Sequence, residues 1–155
     1  MNKALIMTLE NCIIGTKSGD IAPVDNDDWK FNLDIVPRIK QFANEGYIVC
    51  IAVNMAAIER GMISSDEFEA KMDLIKEELG NMIDDNVNYI FCPFLNHYYR
   101  KPNPGMAYAL AIKLELDLPA SIMVGNTKKD QEFAYNSGIG EYITVKNFIE
   151  NGNRG

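Results

Sequence analysis

The chain is expected to fold as an α/β domain, a Rossmann-like three-layer sandwich with a central parallel sheet between helical layers. Two observations predict this. Apolar runs without polar alternation, Leu5–Leu9, Tyr47–Val53 and Ser121–Val124, suit strands buried on both faces. Between them, apolar residues recur at three- and four-residue intervals, the period of an amphipathic helix. Strands alternating with helices imply right-handed βαβ units and a parallel sheet.

Taken in order, Leu5–Leu9 is the first strand and Gly15–Asp28, turn-rich and polar, is a loop with room for a small hairpin. Ile35, Ile39 and Phe42 follow helical spacing, with Pro37 in the first turn and Gly46 as the stop. Tyr47–Val53 is the second strand. Ser64 and Ser65 precede Asp66 and Glu67 as an N-cap signal. Phe68, Met72, Ile75 and Leu79 then form one helical stripe that is expected to end at Gly80. Asn88–Cys92 is a third strand. Pro104 opens a helix through Leu114, with Met106, Leu110 and Leu114 on one face. Ser121–Val124 is the fourth strand, Lys129–Ser137 a helix stopped by Gly138, and Tyr142–Val145 a short fifth strand. Asn147–Gly155 reads as a ragged last turn. Residues 1–150 are expected to form one domain, followed by a flexible tail over 151–155.

The net charge of −7 argues against broad binding to nucleic acid or anionic membranes. No signal peptide is expected, and no apolar run is long enough to span a bilayer. Cys12, Cys50 and Cys92 are odd in number and far apart, and with the lone His97 they make no zinc pattern. A reduced, cytoplasmic protein with buried thiols is the expectation. Cys12 is the one to watch, because it falls in the loop after the first strand.

In parallel sheets ligands bind beyond the carboxyl ends of the strands. Thr8, Glu10, Val53, Asn54, Asn126 and Asp130 all fall at or just past such ends. Four segments stand out there: Ala4–Gly19, Ile51–Asn54, Arg100–Gly105 and Met123–Asp130. In order and spacing they resemble the four motifs of the haloacid dehalogenase-like (HAD) superfamily, over almost the whole chain. Thr16–Gly19, Trp29, Gly46–Tyr47, Ile58–Gly61, Glu67–Lys71 and Tyr99–Pro102 look like the phosphatase domain of polynucleotide kinase/3′-phosphatase. Lys101–Met106 and the pattern from Gly125 to Ile139 are similar to histidinol-phosphate and heptose-bisphosphate phosphatases. No insertion is large enough for a cap domain, so the resemblance is to the capless type.

The resemblance implies a nucleophilic Asp at the end of the first strand and an acid/base Asp two residues on; here stand Thr8 and Glu10. It implies a phosphate-binding hydroxyl in the second motif, where the chain has Val53 beside Asn54. The motif-three lysine is kept as Lys101. The fourth motif implies acids for Mg²⁺; the first is Asn126, and Asp130 remains. Arg60 and Arg100 would add positive charge for a phosphate.

These substitutions bear on chemistry. A carboxylate attacking phosphorus makes an acyl phosphate that water can open. A threonine hydroxyl needs a base, for which Glu10 shares its face, and would end as a phosphate monoester, among the slowest species to hydrolyse. Mg²⁺ wants hard, charged oxygen ligands, so neutral Thr8 and Asn126 predict a weakened metal site resting on Glu10 and Asp130. Lys101 and backbone N–H groups keep a means of holding phosphate.

Plainer roles stand beside these. Thr8 and Val53 serve as strand-end packing, Asn54 and Asn126 as turn formers, Asp130 as a helix cap, Lys101 as an ion-pair partner of Glu10 or Asp130, and Lys128–Lys129 as a solvated pair. Trp29 and Tyr98–Tyr99 read as loop packing or as base-stacking platforms, and His97 as an ordinary loop residue. The functional expectation is a catalytically degenerate phosphatase-type domain whose cleft binds a phosphorylated ligand (a nucleotide or nucleic-acid end) or a protein partner. A Mg²⁺-dependent phosphohydrolase with atypical chemistry and a purely structural or assembly protein are the alternatives.

Overall fold

The computed structural model describes residues 1–151, so the expected tail lies, from residue 152 on, outside the described residues. Five parallel strands make the central sheet: β1 (Ala4–Met7), β4 (Ile48–Asn54), β5 (Val87–Cys92), β6 (Ile122–Gly125) and β7 (Glu141–Thr144). Their order is β5-β4-β1-β6-β7, every pair parallel. β2 (Ile14–Gly15) and β3 (Lys30–Phe31) form a separate antiparallel pair. The helices are α1 (Val36–Asn44), α2 (Ser65–Ile83), α3 (Gly105–Leu114), α4 (Lys128–Ser137) and α5 (Val145–Glu150), with a 3₁₀ turn at Leu118–Ala120.

Strand residues alternate between two cores, as successive side chains on a strand must. Leu5, Met7, Val49 and Ile51 face α1, α2 and α5, where Ile39, Phe42, Phe68, Met72 and Phe148 close the layer. Ala4, Ile6, Cys50 and Ala52 face α3 and α4, against Met106, Leu110 and Phe133. β1 lies between β4 and β6, and the chain departs to opposite sides of it, so the crevice opens at the carboxyl end of β1.

Three local expectations are corrected. The helix expected to stop at Gly80 runs on to Ile83, because Ile83 is itself fully buried and extends the apolar stripe; Asp84, left-handed at φ 55°, ends it. The hairpin flanks the polar loop rather than lying inside it. Of the ragged last turn expected over Asn147–Gly155, residues 147–150 belong to helix α5, and those from 152 on lie outside the described residues. The Thr144 side chain caps the Asn147 N–H, and Phe148 inserts beside Phe42 with ring centroids 5.1 Å apart. Arg38 then donates from Nε to the Phe148 carbonyl at 2.7 Å and lies over both rings.

Asp28 gathers three donors inside the polar loop. Asp28 accepts hydrogen bonds from Ser18 N (2.8 Å), Ser18 Oγ (2.7 Å) and Val24 N (3.0 Å). These donors, the Ser18 hydroxyl first and the Val24 amide next, hold the Asp28 carboxyl down at about 2. A depressed folded pKa contributes stability above the unfolded value near 3.9 and loses it as pH falls through about 2. The Asp28 carboxyl resonance is therefore expected to titrate near pH 2 by NMR, with the Ser18 and Val24 amides shifting at the same midpoint. An ordinary carboxylate midpoint would refute this anchoring.

Candidate active site

Thr8 follows β1, Val53 and Asn54 end β4, and Asn126 follows β6, so parallel pairing alone brings three motifs to one edge. The Thr8 N–H donates to the Val124 carbonyl at 3.2 Å, which ties the first motif to β6. Together with Glu10, Asn11, Lys101, Thr127, Lys129 and Asp130 these residues line a cleft of about 220 Å³. A larger open depression of about 760 Å³ lies by the second half of α2 and the amino end of β5, lined by Asp73, Lys76, Glu77, Asp84 and Asp85 among others. It carries none of the motif residues.

Lys101 is the hub. Its side chain is buried to 4% exposure, and Nζ donates to Asp130 Oδ1 at 2.9 Å, the Ala52 carbonyl at 2.9 Å and Thr8 Oγ1 at 3.1 Å. An ammonium has three N–H donors, and all three are used. Burial pushes the Lys101 pKa down, and the Asp130 carboxylate beside it pulls it back up. Its loop, with the Lys101–Pro102 peptide cis, is clamped by Asn54. Asn54 Oδ1 accepts from Lys101 N at 2.9 Å and Asn54 Nδ2 donates to the Lys101 carbonyl at 3.1 Å. The Asn54 amide thus positions Lys101.

Asp130 follows from local helix chemistry. Thr127 caps α4, accepting from Asp130 N at 3.2 Å, and Asp130 Oδ2 reaches back to Thr127 N at 3.3 Å and Asn126 N at 3.1 Å. This is a capping box, and an acid in the first turn also suits the helix dipole. The helix-cap and ion-pair roles therefore coincide in one side chain. Asn126 turns its Nδ2 toward two main-chain carbonyls, Glu10 at 3.1 Å and Asn11 at 2.7 Å. Glu10 is half-buried, and its carboxylate makes no hydrogen bond among the described residues. Val53 is 3% exposed and belongs to the core, so the second motif presents methyl groups where a hydroxyl would serve.

Some expected groups are elsewhere. Arg60 is exposed on the turn after β4 and does not line the cleft. Arg100 lines an adjoining groove of about 340 Å³ with His97 and Lys129, and its Nη1 is buried without a partner among the described residues. His97 Nδ1 accepts from Tyr99 N at 3.0 Å, a turn-forming role. Trp29 packs edge-on against Phe31 and the core. Cys12 is fully buried, and burial pushes its thiol far up, away from the thiolate form that a nucleophile needs.

Two groups passed over in the sequence belong here. Lys129, read as half of a solvated pair, lines the cleft, while Lys128 sits 3.8 Å from Glu132 on the surface. Its place in the first turn of α4, just past a strand end, is the signal that distinguishes it. Lys71, 7% exposed on α2, has its pKa lowered by burial and raised again chiefly by Glu10, then by Asp27, Asp28 and Asp25.

The superfamily implies Mg²⁺, and the donor set does not fit it. Both Asp130 oxygens are already engaged, by an ammonium and by two amides. Thr8 Oγ1 accepts from Lys101, and Asn126 presents its NH₂ to the turn. Among the described residues no group of three His, Cys, Asp or Glu converges as a metal site. An octahedral ion needs several free oxygens, and Glu10 alone offers charged ones.

Residues 3–131 match the polynucleotide kinase 3 phosphatase family. The chain is 35% identical over 118 residues to a D-glycero-beta-D-manno-heptose-1,7-bisphosphate 7-phosphatase of Rhodopseudomonas palustris, a match covering 68% of this chain and 64% of that protein. A structure from Mesorhizobium loti, provisionally assigned as a HAD-like phosphatase, superposes with a TM-score of 0.76 at 25% identity, covering 88% of this chain and 69% of that one. The D,D-heptose 1,7-bisphosphate phosphatase of B. bronchiseptica, solved with magnesium and phosphate, shares the fold with a TM-score of 0.77 at 22% identity, over 91% and 79%. The chain belongs to the polynucleotide kinase 3 phosphatase family and has the capless HAD-like fold.

Proposed function

We propose that the cleft binds a phosphate monoester carried on a sugar, whether a nucleotide, a nucleic-acid end or a sugar phosphate, and leaves it intact. The observation that carries this is the Lys101–Thr8 contact. Where an attacking group must stand, the chain offers a hydroxyl whose oxygen already accepts a hydrogen bond from a buried ammonium. That bond withdraws electron density from the oxygen, and attack would in any case end in a slow phosphothreonine ester. The phosphate class is supported by the family and by the bisphosphate substrates named for the relatives. One domain, residues 1–150, serves this role. Three buried, unpaired thiols suit a reducing, cytoplasmic setting, and among the described residues no helix is long and apolar enough to cross a membrane.

A working phosphohydrolase is the rival reading, favoured by the relatives' names. The test compares wild type with a variant carrying Thr8→Asp, Glu10→Asp, Val53→Thr and Asn126→Asp. Each is assayed with MgCl₂ on an aryl phosphate, a 3′-phosphorylated oligonucleotide and heptose 1,7-bisphosphate. Wild type is expected to release no phosphate, the restored variant to turn over, and nucleoside 3′-phosphate to raise the wild-type Tm. Wild-type turnover abolished by Glu10→Ala would establish the rival. Absence of any thermal protection would favour an assembly role.

A further inference from the structure

We infer that the cleft takes its oxyanion without a divalent cation, and that the Asn126 carboxamide stands where a cation would otherwise be drawn. The anion half rests on the function proposed above; the metal half rests on the geometry of Asn126. Two main-chain oxygens, those of Glu10 and Asn11, converge on one nitrogen, at 3.1 and 2.7 Å. Carbonyl oxygens are hard ligands that attract Mg²⁺ or Ca²⁺. Here a neutral NH₂, which carries two hydrogens, satisfies both. Two carbonyl acceptors also settle the amide's orientation, because the flipped amide would set oxygen against oxygen. Asn11 makes the arrangement by adopting φ 55°, a left-handed conformation that asparagine tolerates better than most residues.

Charge in the cleft agrees. Its lining holds two carboxylates, Glu10 and Asp130, against two ammonium groups, Lys101 and Lys129. An incoming phosphate therefore meets no excess of negative charge for a metal to cancel. Thr8 supplies a further donor. Its oxygen accepts from Lys101, which leaves the hydroxyl hydrogen available to a phosphate oxygen. A carboxylate at that position would repel the same group. Neutral Thr8 and Asn126 thus do electrostatically what a bound dication does in an acid-rich cleft.

The experiment uses the full chain, with Tm and isothermal calorimetry read in EDTA and in millimolar MgCl₂, with and without inorganic phosphate. Wild type is expected to show the same Tm with and without Mg²⁺, no heat of Mg²⁺ binding, and the same phosphate affinity in EDTA as in MgCl₂. Asn126→Asp sets a carboxylate against the two carbonyls. In EDTA it should lower Tm and weaken phosphate binding about tenfold, and Mg²⁺ should reverse both. Asn126→Ala should lower Tm without a Mg²⁺ response. Mg²⁺ binding by wild type, or an Asn126→Asp variant indifferent to Mg²⁺, would overturn the inference; if that variant does not fold, the wild-type titration decides. Phosphate protection that appears only with Mg²⁺ defeats this inference alone. No protection in either condition defeats the proposed function and the anion half together.

Discussion

Replacing Lys101 with methionine is expected to lower the unfolding free energy by about 3–5 kcal/mol, the range for removing one partner of a buried ion pair. The loss does not come from the 2.9 Å contact alone. Asp130 is 3% exposed, so its carboxylate would remain buried with only the Asn126 and Thr127 amides to hold it. The Ala52 carbonyl and Thr8 hydroxyl would lose their donor as well. Methionine matches the volume, which separates charge from packing. Adding Asp130→Asn to Lys101→Met should recover a large part of the loss, because no uncompensated charge stays buried. Urea unfolding of the four proteins closes the cycle. If Lys101→Met costs under about 1 kcal/mol, within the range of an exposed pair, the hub is hydrated and the argument for it fails.

The same pair marks what the sequence did and did not disclose. That Thr8, Val53, Asn54 and Asn126 would meet was legible, because parallel strands bring their carboxyl ends to one edge whatever the loops do. That Lys101 and Asp130 would pair was one stated alternative, and the Thr127-Lys-Lys-Asp130 spacing carries the capping box behind it. The direction of the Asn126 amide was not legible. It depends on where a left-handed Asn11 sends its carbonyl, a backbone property that side-chain type only biases. The side to which Arg60 turns was equally illegible: a turn after a strand end can point its charge toward the crevice or away from it. Helix α5 was missed because six residues show too little periodicity to reveal a face. Phe148 is buried by Arg38 and Phe42, more than a hundred positions earlier.

Gly125→Ala tests whether the cleft floor has any slack. Gly125 ends β6, and the chain turns there so tightly that a Cβ would lie 2.5 Å from Asp130 Cβ, 2.7 Å from Oδ2 and 2.8 Å from Cγ. A flexible side chain could swing aside. Asp130 cannot, since one oxygen is held by Lys101 and the other by two amides of the same turn. The methyl group must therefore displace the carboxylate or the strand end, at a cost of about 3 kcal/mol, the upper part of the range for overpacking. The cost should depend on Asp130 itself. With Asp130→Gly in the background, all three contacts are gone, so Gly125→Ala should cost much less than it does alone. A coupling energy of about 1–3 kcal/mol between the two substitutions is the expected result, measured by urea unfolding. Strict additivity would mean that the strand end, not the carboxylate, yields to the methyl. Phosphate binding then gives a second reading. If Asp130 is what moves, Gly125→Ala frees Lys101 from its partner and should tighten phosphate even as the fold weakens, whereas a shifted strand end would carry Thr127 and Lys129 with it and weaken both.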